Sequence, residues 1–292
     1  MRPPPTLAHV ALPDCTLAVW EWAGAGATLF FVHANGFHGR CWDAAIALLP
    51  EYRCFALDLR GHGQSEQGEM PADWRPFGED IAAVAEALGL RGAVGIGHSI
   101  GGHALALAAA LAPEAFGHLL LIDPTIFARE RYRGARPGEH FVARRRAQWA
   151  SVEAMTERFA DRPPYDAWEP RVLRDYCRYG LLPAPDGDGL VLACAPTFEG
   201  ALYQISTAEG SDIYPELALI AQPTLIVRAG AVEPGPNAGF VASPTTPDLV
   251  TRLAHARDHL DRDHSHFLPM ESPARVAAYV RELIAADPAT FG

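Results

Sequence analysis

The stretch Ala93-Val94-Gly95-Ile96-Gly97-His98-Ser99-Ile100-Gly101-Gly102 decides how the rest of this chain reads. Its first four residues are a short apolar run with a glycine on each side, which reads as a buried strand. Residues 100–111 are rich in Ala and Leu and are closed by Pro113, which reads as a helix. Between them, Gly97-His98-Ser99-Ile100-Gly101 matches G-x-S-x-G in the strand-turn-helix context that gives the pattern meaning. A serine there sits on a tight turn with strained dihedrals, and a side chain at 97 or 101 would crowd it. The turn lifts the hydroxyl above the sheet, and the helix points its first amides and positive dipole end at charge forming there. The spacing predicts a nucleophilic Ser99 over an ordinary helix-capping serine.

Outward from this turn, the first half alternates in type. Residues 17–22, 27–32, 53–57 and 118–122 are short apolar, β-favouring runs, whereas 41–49 and 77–88 have helical character. In the latter, Ile81, Val84, Ala85 and Leu88 recur at helical spacing. Strands apolar throughout, alternating with helices, predict a doubly wound, mostly parallel α/β sheet covered on both faces. From about 124 to 214 the alternation stops and gives helical patterns and loops. It resumes with a strand at 224–227, a helix at 248–257, a last strand at 258–262 and a last helix at 273–286. The predicted organisation is a core domain of residues 1–123 and 215–292, carrying a mainly helical cap at 124–214.

Composition removes several function classes. The chain has 292 residues and a net charge of −11, which argues against general nucleic-acid binding. It contains no lysine, so all 24 basic residues are arginine. Schiff-base chemistry, a phosphate-loop lysine and a Ser–Lys dyad all need the missing amine. Five cysteines without a close pair predict free thiols in a reducing, cytoplasmic compartment. No apolar run is long enough for a signal peptide or a membrane span. Asp261, Asp263, His264 and His266 do not fit a zinc spacing, and Gly24-Ala25-Gly26 is followed by a strand where a dinucleotide loop needs a helix. No cofactor and no metal are expected.

Three further stretches accompany the Ser99 turn. They are His33-Ala34-Asn35-Gly36-Phe37-His38-Gly39, Asp58-Leu59-Arg60-Gly61-His62-Gly63-Gln64-Ser65, and Ser265-His266-Phe267-Leu268-Pro269 before the last helix. With them the chain, from about residue 17 to its end apart from the insertion, resembles the α/β-hydrolase fold superfamily. The first stretch is similar to that family's His-Gly oxyanion loop, the second to its D-x-R-G-H-G-x-S turn, the third to its terminal histidine loop.

A serine hydroxyl needs a general base within reach. The family's chain order of serine, acid and histidine points to a late histidine, and the Phe267-Leu268-Pro269 that follows His266 favours it over the neighbouring His259 and His264. His33, His62 and His98 lie inside loop motifs, where orienting backbone is the expected role. The resemblance implies that the acid follows the strand at 224–227, which selects Glu233, three residues after Gly230. Asp123, at the end of the preceding strand, is the rival, and Asp248 a weaker one. The resemblance also implies oxyanion donors at the amides of Ile100 and Phe37. Ala34 and Asn35 are extra between histidine and glycine, so the amide of Asn35 or Gly36 is the alternative.

The insertion falls where the family places a lid. Within it, residues 129–146 hold seven arginines against Glu130 and Glu139, either a solvated face or a site for a substrate carboxylate or phosphate. The expected activity is cofactor-independent hydrolysis of an ester, thioester or lactone of a small to medium organic substrate through a Ser-His-Glu triad. C–C bond hydrolysis, a lyase step at the same site, and a non-catalytic ligand sensor are the alternatives. The expected partner is a small-molecule substrate, with no nucleic acid and no membrane span, and a homo-oligomer is left open.

Overall fold

The computed structural model describes residues 2–185, 187–232 and 239–291. Strands β1 (Thr6–Ala11), β2 (Thr16–Trp22) and β3 (Thr28–Val32) lead to helix α1 (Asp43–Ala47). Then come β4 (Arg53–Leu57), α2 (Arg75–Ala87), β5 (Ala93–His98), α3 (Ile100–Leu111) and β6 (Phe116–Ile122). The stretch that follows holds three short strands, β7 (Gln148–Trp149), β8 (Leu181–Pro183) and β9 (Leu190–Leu192), among helices α4 (Val152–Ala160), α5 (Pro170–Tyr179) and α6 (Pro196–Ile205). The chain closes with α7 (Tyr214–Leu217), β10 (Thr224–Ala229), β11 (Ala256–Asp261), α8 (Leu268–Glu271) and α9 (Pro273–Ala285).

The main sheet has the order β1-β2-β4-β3-β5-β6-β10-β11. The pairings β1 with β2 and β2 with β4 are antiparallel, and the rest are parallel. This is the expected doubly wound, mostly parallel α/β architecture. β3 shows why its strands read as unbroken apolar runs. Leu29 and Phe31 pack on one face with Ile46 of α1 and Val276, Val280 and Leu283 of α9. Phe30 and Val32 pack on the other with Phe77, Ile81 and Val84 of α2 and Leu105 of α3. Alternate side chains point to opposite faces, so a strand covered on both sides needs an apolar residue at every position. Each of these fully buried side chains contributes about 1.5–3 kcal/mol relative to exposure.

The chain leaves β3 for β4 on one side and returns to β5 on the other. The loops after β3 and β5 therefore diverge, and they open a crevice at the carboxyl ends of the parallel strands. That crevice receives Ser99.

Some expectations at the periphery need correction. The helix predicted over 248–257 is a short 3-10 turn, Leu249–Arg252, running into β11. The run 41–49 is divided between a 3-10 turn, Gly39–Trp42, and α1. β1 is an exposed edge strand paired to β2, with no apolar pattern to announce it. β7, β8 and β9 form a small antiparallel sheet inside the segment expected to be helical. Among the described residues, no helix is long and apolar enough to cross a membrane.

Candidate active site

Ser99 stands between β5 and α3 with φ 57° and ψ −122°, one of two non-glycine residues at positive φ among those described. Holding a side chain there costs of order 1–3 kcal/mol, so the surroundings must impose it. They do so through glycines. A Cβ on Gly97 would lie 2.5 Å from the Gly101 carbonyl oxygen, and one on Gly101 would lie 2.5 Å from the His33 oxygen. Only bare backbone lets α3 start this close to the ends of β3 and β5.

The other positive-φ residue is Asp123, at φ 44°, directly after β6. Its amide donates to the Val227 carbonyl of neighbouring β10 at 2.6 Å. Its buried carboxylate accepts from four donors. Oδ1 takes the Ala229 amide at 3.0 Å, the Thr245 hydroxyl at 3.2 Å and the Ser243 hydroxyl. Oδ2 lies 2.6 Å from Nδ1 of His266. On the other side of that ring, Nε2 lies 3.1 Å from the Ser99 hydroxyl. With Nδ1–H donating to the carboxylate, Nε2 is left free to accept from serine. The Ser99 hydroxyl has a second neighbour, Thr125 Oγ1, at 3.0 Å.

Ser99 and His266 are thus within hydrogen-bond reach, and the carboxylate behind His266 belongs to Asp123. Glu233, expected in that place, lies outside the described residues. β6 and β10, the strands that the two expected acids follow in the sequence, are adjacent and parallel. The rival imidazoles are engaged elsewhere. His264 Nδ1 contacts Asp261 at 2.9 Å, and the His259 ring packs 5.5 Å from that of Tyr279. Asp248 holds Arg252 at 2.6 Å on the surface.

The three loop histidines hold backbone. Nε2 of His33 accepts the Leu59 amide at 2.9 Å, while Nδ1 donates to the Ala34 carbonyl at 2.7 Å. Nε2 of His62 accepts the Gly36 amide at 3.0 Å, while Nδ1 donates to the Arg60 carbonyl at 2.9 Å. Accepting an N–H requires a neutral ring, and burial pushes the His62 imidazolium down to about 4 and that of His33 well below its usual range. His98 donates through Nε2 to the His266 carbonyl at 2.8 Å, tying the His266 loop to β5. Burial first, and then the neighbouring His266, lower its pKa to about 3. Asp58 accepts the amides of Gly39 (2.6 Å) and Gln64 (2.9 Å) and the Trp20 indole (3.1 Å). Burial raises its carboxyl pKa to about 6.

These contacts also sort the loop amides. Phe37, expected to supply an oxyanion donor, spends its amide on the Ala34 carbonyl at 3.1 Å. The Gly36 amide is held by His62. The Asn35 backbone amide has no acceptor among the described residues, and Asn35 lines the same cavity as Ser99. Ile100 opens α3, where an N–H has no intrahelical partner. Phe37 instead packs as a ring against Trp168, Tyr176 and Phe267 at 5.3–6.3 Å between centroids.

The cavity over Ser99 has a volume of about 480 Å³. Its walls combine Trp74, Phe127 and Phe267 with Thr125, Ser206 and two arginines, Arg131 and Arg136. Thr125, Ser243 and Thr245 escaped the reading of the sequence. The only local signal was Asp123-Pro124-Thr125 at a strand end, which also suits an ordinary turn. Among the described residues, no group of three or more His, Cys, Asp or Glu side chains could hold a metal ion.

A model of the Alpha/beta hydrolase family matches residues 29–279. The chain is 24% identical over 280 residues to esterase Rv0045c of Mycobacterium tuberculosis, covering 92% of this chain and 86% of that protein. It is 31% identical over 201 residues to a bifunctional esterase/perhydrolase of Acinetobacter calcoaceticus, covering 63% and 72%. The solved structure of E-2-(acetamidomethylene)succinate hydrolase superposes with a TM-score of 0.73 at 23% identity, covering 97% of this chain and all of that one.

Proposed function

The chain belongs to the alpha/beta hydrolase family and is a serine hydrolase, and from that premise we propose that it cleaves a carboxylic ester through Ser99, His266 and Asp123. The observation that carries this reading is the unbroken relay from Asp123 Oδ2 to His266 Nδ1 at 2.6 Å and from His266 Nε2 to Ser99 Oγ at 3.1 Å.

The Ser99 oxygen attacks the ester carbonyl while His266 Nε2 takes its proton. Asp123 keeps the ring in the tautomer that can do so and stabilises the imidazolium that results. The amides of Asn35 and Ile100 donate to the oxyanion, and each such donor is worth about 10²–10³ in rate. His266 returns the proton to the departing alcohol. Water, deprotonated by the same ring, then releases the acid from Ser99.

Residues 124–214 serve as a lid that excludes water and shapes the pocket. Support comes from Asn35, whose Nδ2 donates to the Glu199 carbonyl of α6 at 3.0 Å, and from the lid residue Tyr203 at the cavity wall. The five cysteines, buried and unpaired, support a reducing compartment.

The test is hydrolysis of p-nitrophenyl butyrate, with labelling of the protein by a fluorophosphonate probe. Wild type turns over the ester and is labelled, and Ser99→Ala loses both. A Ser99→Ala protein that hydrolyses the ester as fast as wild type would refute the assignment.

A further inference from the structure

The seven arginines between 129 and 146 divide by what they face. Arg129 pairs with Asp212 at 3.1 Å, Arg144 with Glu139 at 3.8 Å and Arg145 with Glu199 at 3.0 Å. Arg146 donates to the Gln148 carbonyl at 2.7 Å. Arg131, Arg133 and Arg136 have no carboxylate within ion-pairing distance among the described residues. Of these three, Arg131 and Arg136 line the cavity above Ser99, and Arg133 does not.

The two cationic walls are placed by the fold. The Arg131 amide donates to Ala128 O at 2.9 Å, and the Arg136 amide to Gln204 O at 2.8 Å on α6. Between them, Gly134 exchanges hydrogen bonds with Thr207, and Tyr132 is buried with its hydroxyl receiving the Phe127 amide at 3.2 Å. Both guanidiniums share one aromatic ring. Arg131 Cζ lies 4.1 Å from the Phe127 centroid, and Arg136 Cζ lies 5.8 Å from it. Two like charges on one apolar ring repel each other. Partial desolvation, and then the nearby Arg131, hold the Arg136 pKa below its usual value. No carboxylate lines the cavity among the described residues. An anion between the two would relieve the repulsion and accept planar, forked hydrogen bonds.

We propose that Arg131 and Arg136 form a carboxylate subsite, so that the preferred substrate is an ester carrying a free carboxylate at its non-reacting end. The inference rests on the reading of Ser99 as nucleophile. Overall, a monoester of a dicarboxylic acid and water give the dicarboxylate, an alcohol and a proton.

The experiment compares kcat/KM, by proton release, for monomethyl glutarate and its neutral isostere methyl 4-carbamoylbutanoate. Charge-assisted hydrogen bonds to an arginine pair predict a preference for the monoacid of about tenfold or more in wild type. The preference shrinks with added KCl, because Arg131 and Arg136 are exposed at the cavity mouth. In the Arg131→Gln, Arg136→Gln double variant it falls to about twofold or less, while Arg133→Gln keeps it. Equal turnover of the two esters by wild type, or an undiminished preference in the double variant, would overturn the subsite and leave the esterase reading intact. A preference for the corresponding phosphonate monoester over the carboxylate would overturn the carboxylate assignment. If neither ester is turned over and Ser99 also ignores the fluorophosphonate probe, the reading of Ser99 itself has failed.

Discussion

Replacing Asp123 by asparagine tests the relay most directly, because the surroundings dictate which way the new amide points. Oδ1 accepts the Ala229 amide and the hydroxyls of Thr245 and Ser243. The Ala229 N–H is a donor only, so the amide oxygen must stay on that side. The –NH₂ is then forced into the Oδ2 position, 2.6 Å from His266 Nδ1. Two donors cannot face each other there, so the ring shifts its proton to Nε2 and can no longer accept one from Ser99. Shape and burial are almost unchanged, which isolates the tautomer as the cause. A loss of kcat of about 10⁴ is expected, the size seen when the corresponding acid becomes an amide in a serine-protease triad. The assay is p-nitrophenyl butyrate hydrolysis, with a thermal melt to show that the variant is folded. Glu233→Gln is made beside it and should hold kcat within a few-fold of wild type. A folded Asp123→Asn protein within tenfold of wild type would refute the tautomer argument. If Glu233→Gln instead loses the activity, the acid belongs to the loop after β10.

Three other outcomes follow from the same contacts. His33, His38, His62, His98 and His103 are buried, and burial lowers each imidazolium, to about 4 for His38, His62 and His103 and about 3 for His98. Below pH 6.5 the unfolded chain binds protons that the folded chain refuses, so stability falls with acidification. From pH 7 to pH 5 each of His38, His62, His98 and His103 removes about 2 kcal/mol, His33 acts in the same direction, and the raised pKa of Asp58 offsets part of it. The melting temperature should drop steeply over that range, and a flat profile would count against neutral buried rings. Gly101→Ala drives a Cβ to 2.5 Å from the His33 carbonyl oxygen, so it should destabilise by at least about 1–3 kcal/mol and abolish labelling of Ser99. Glu199→Ala removes the partner of Arg145 and should cost up to about 3 kcal/mol, reduced by the partial exposure of the arginine, in a denaturant titration.

What could be read in the sequence was whatever local chemistry fixes. The Ser99 turn needs glycine on both sides, and a strand buried on two faces must be apolar throughout, so both leave a compact signature. The placing of His266 beside Ser99 was legible for a similar reason, because the Phe267-Leu268-Pro269 that follows it marks it out from His259 and His264. The acid left no such mark. β6 and β10 are neighbours in the sheet, so sequence order alone does not choose between an acid after one and an acid after the other. Asp123-Pro124 looks like an ordinary turn until Ala229, Ser243 and Thr245, all more than a hundred residues away, are seen to donate to it. The oxyanion loop differs from its expected reading for the opposite reason: the proposed donor is Asn35 where the sequence pointed to Phe37. Counting positions from the glycine selects Phe37, but His62 accepts the Gly36 amide and the turn closes Phe37 onto Ala34, which leaves Asn35. An amide's availability depends on which partners the fold has already given its neighbours, and for Asn35 that partner is a histidine 27 residues further along the chain.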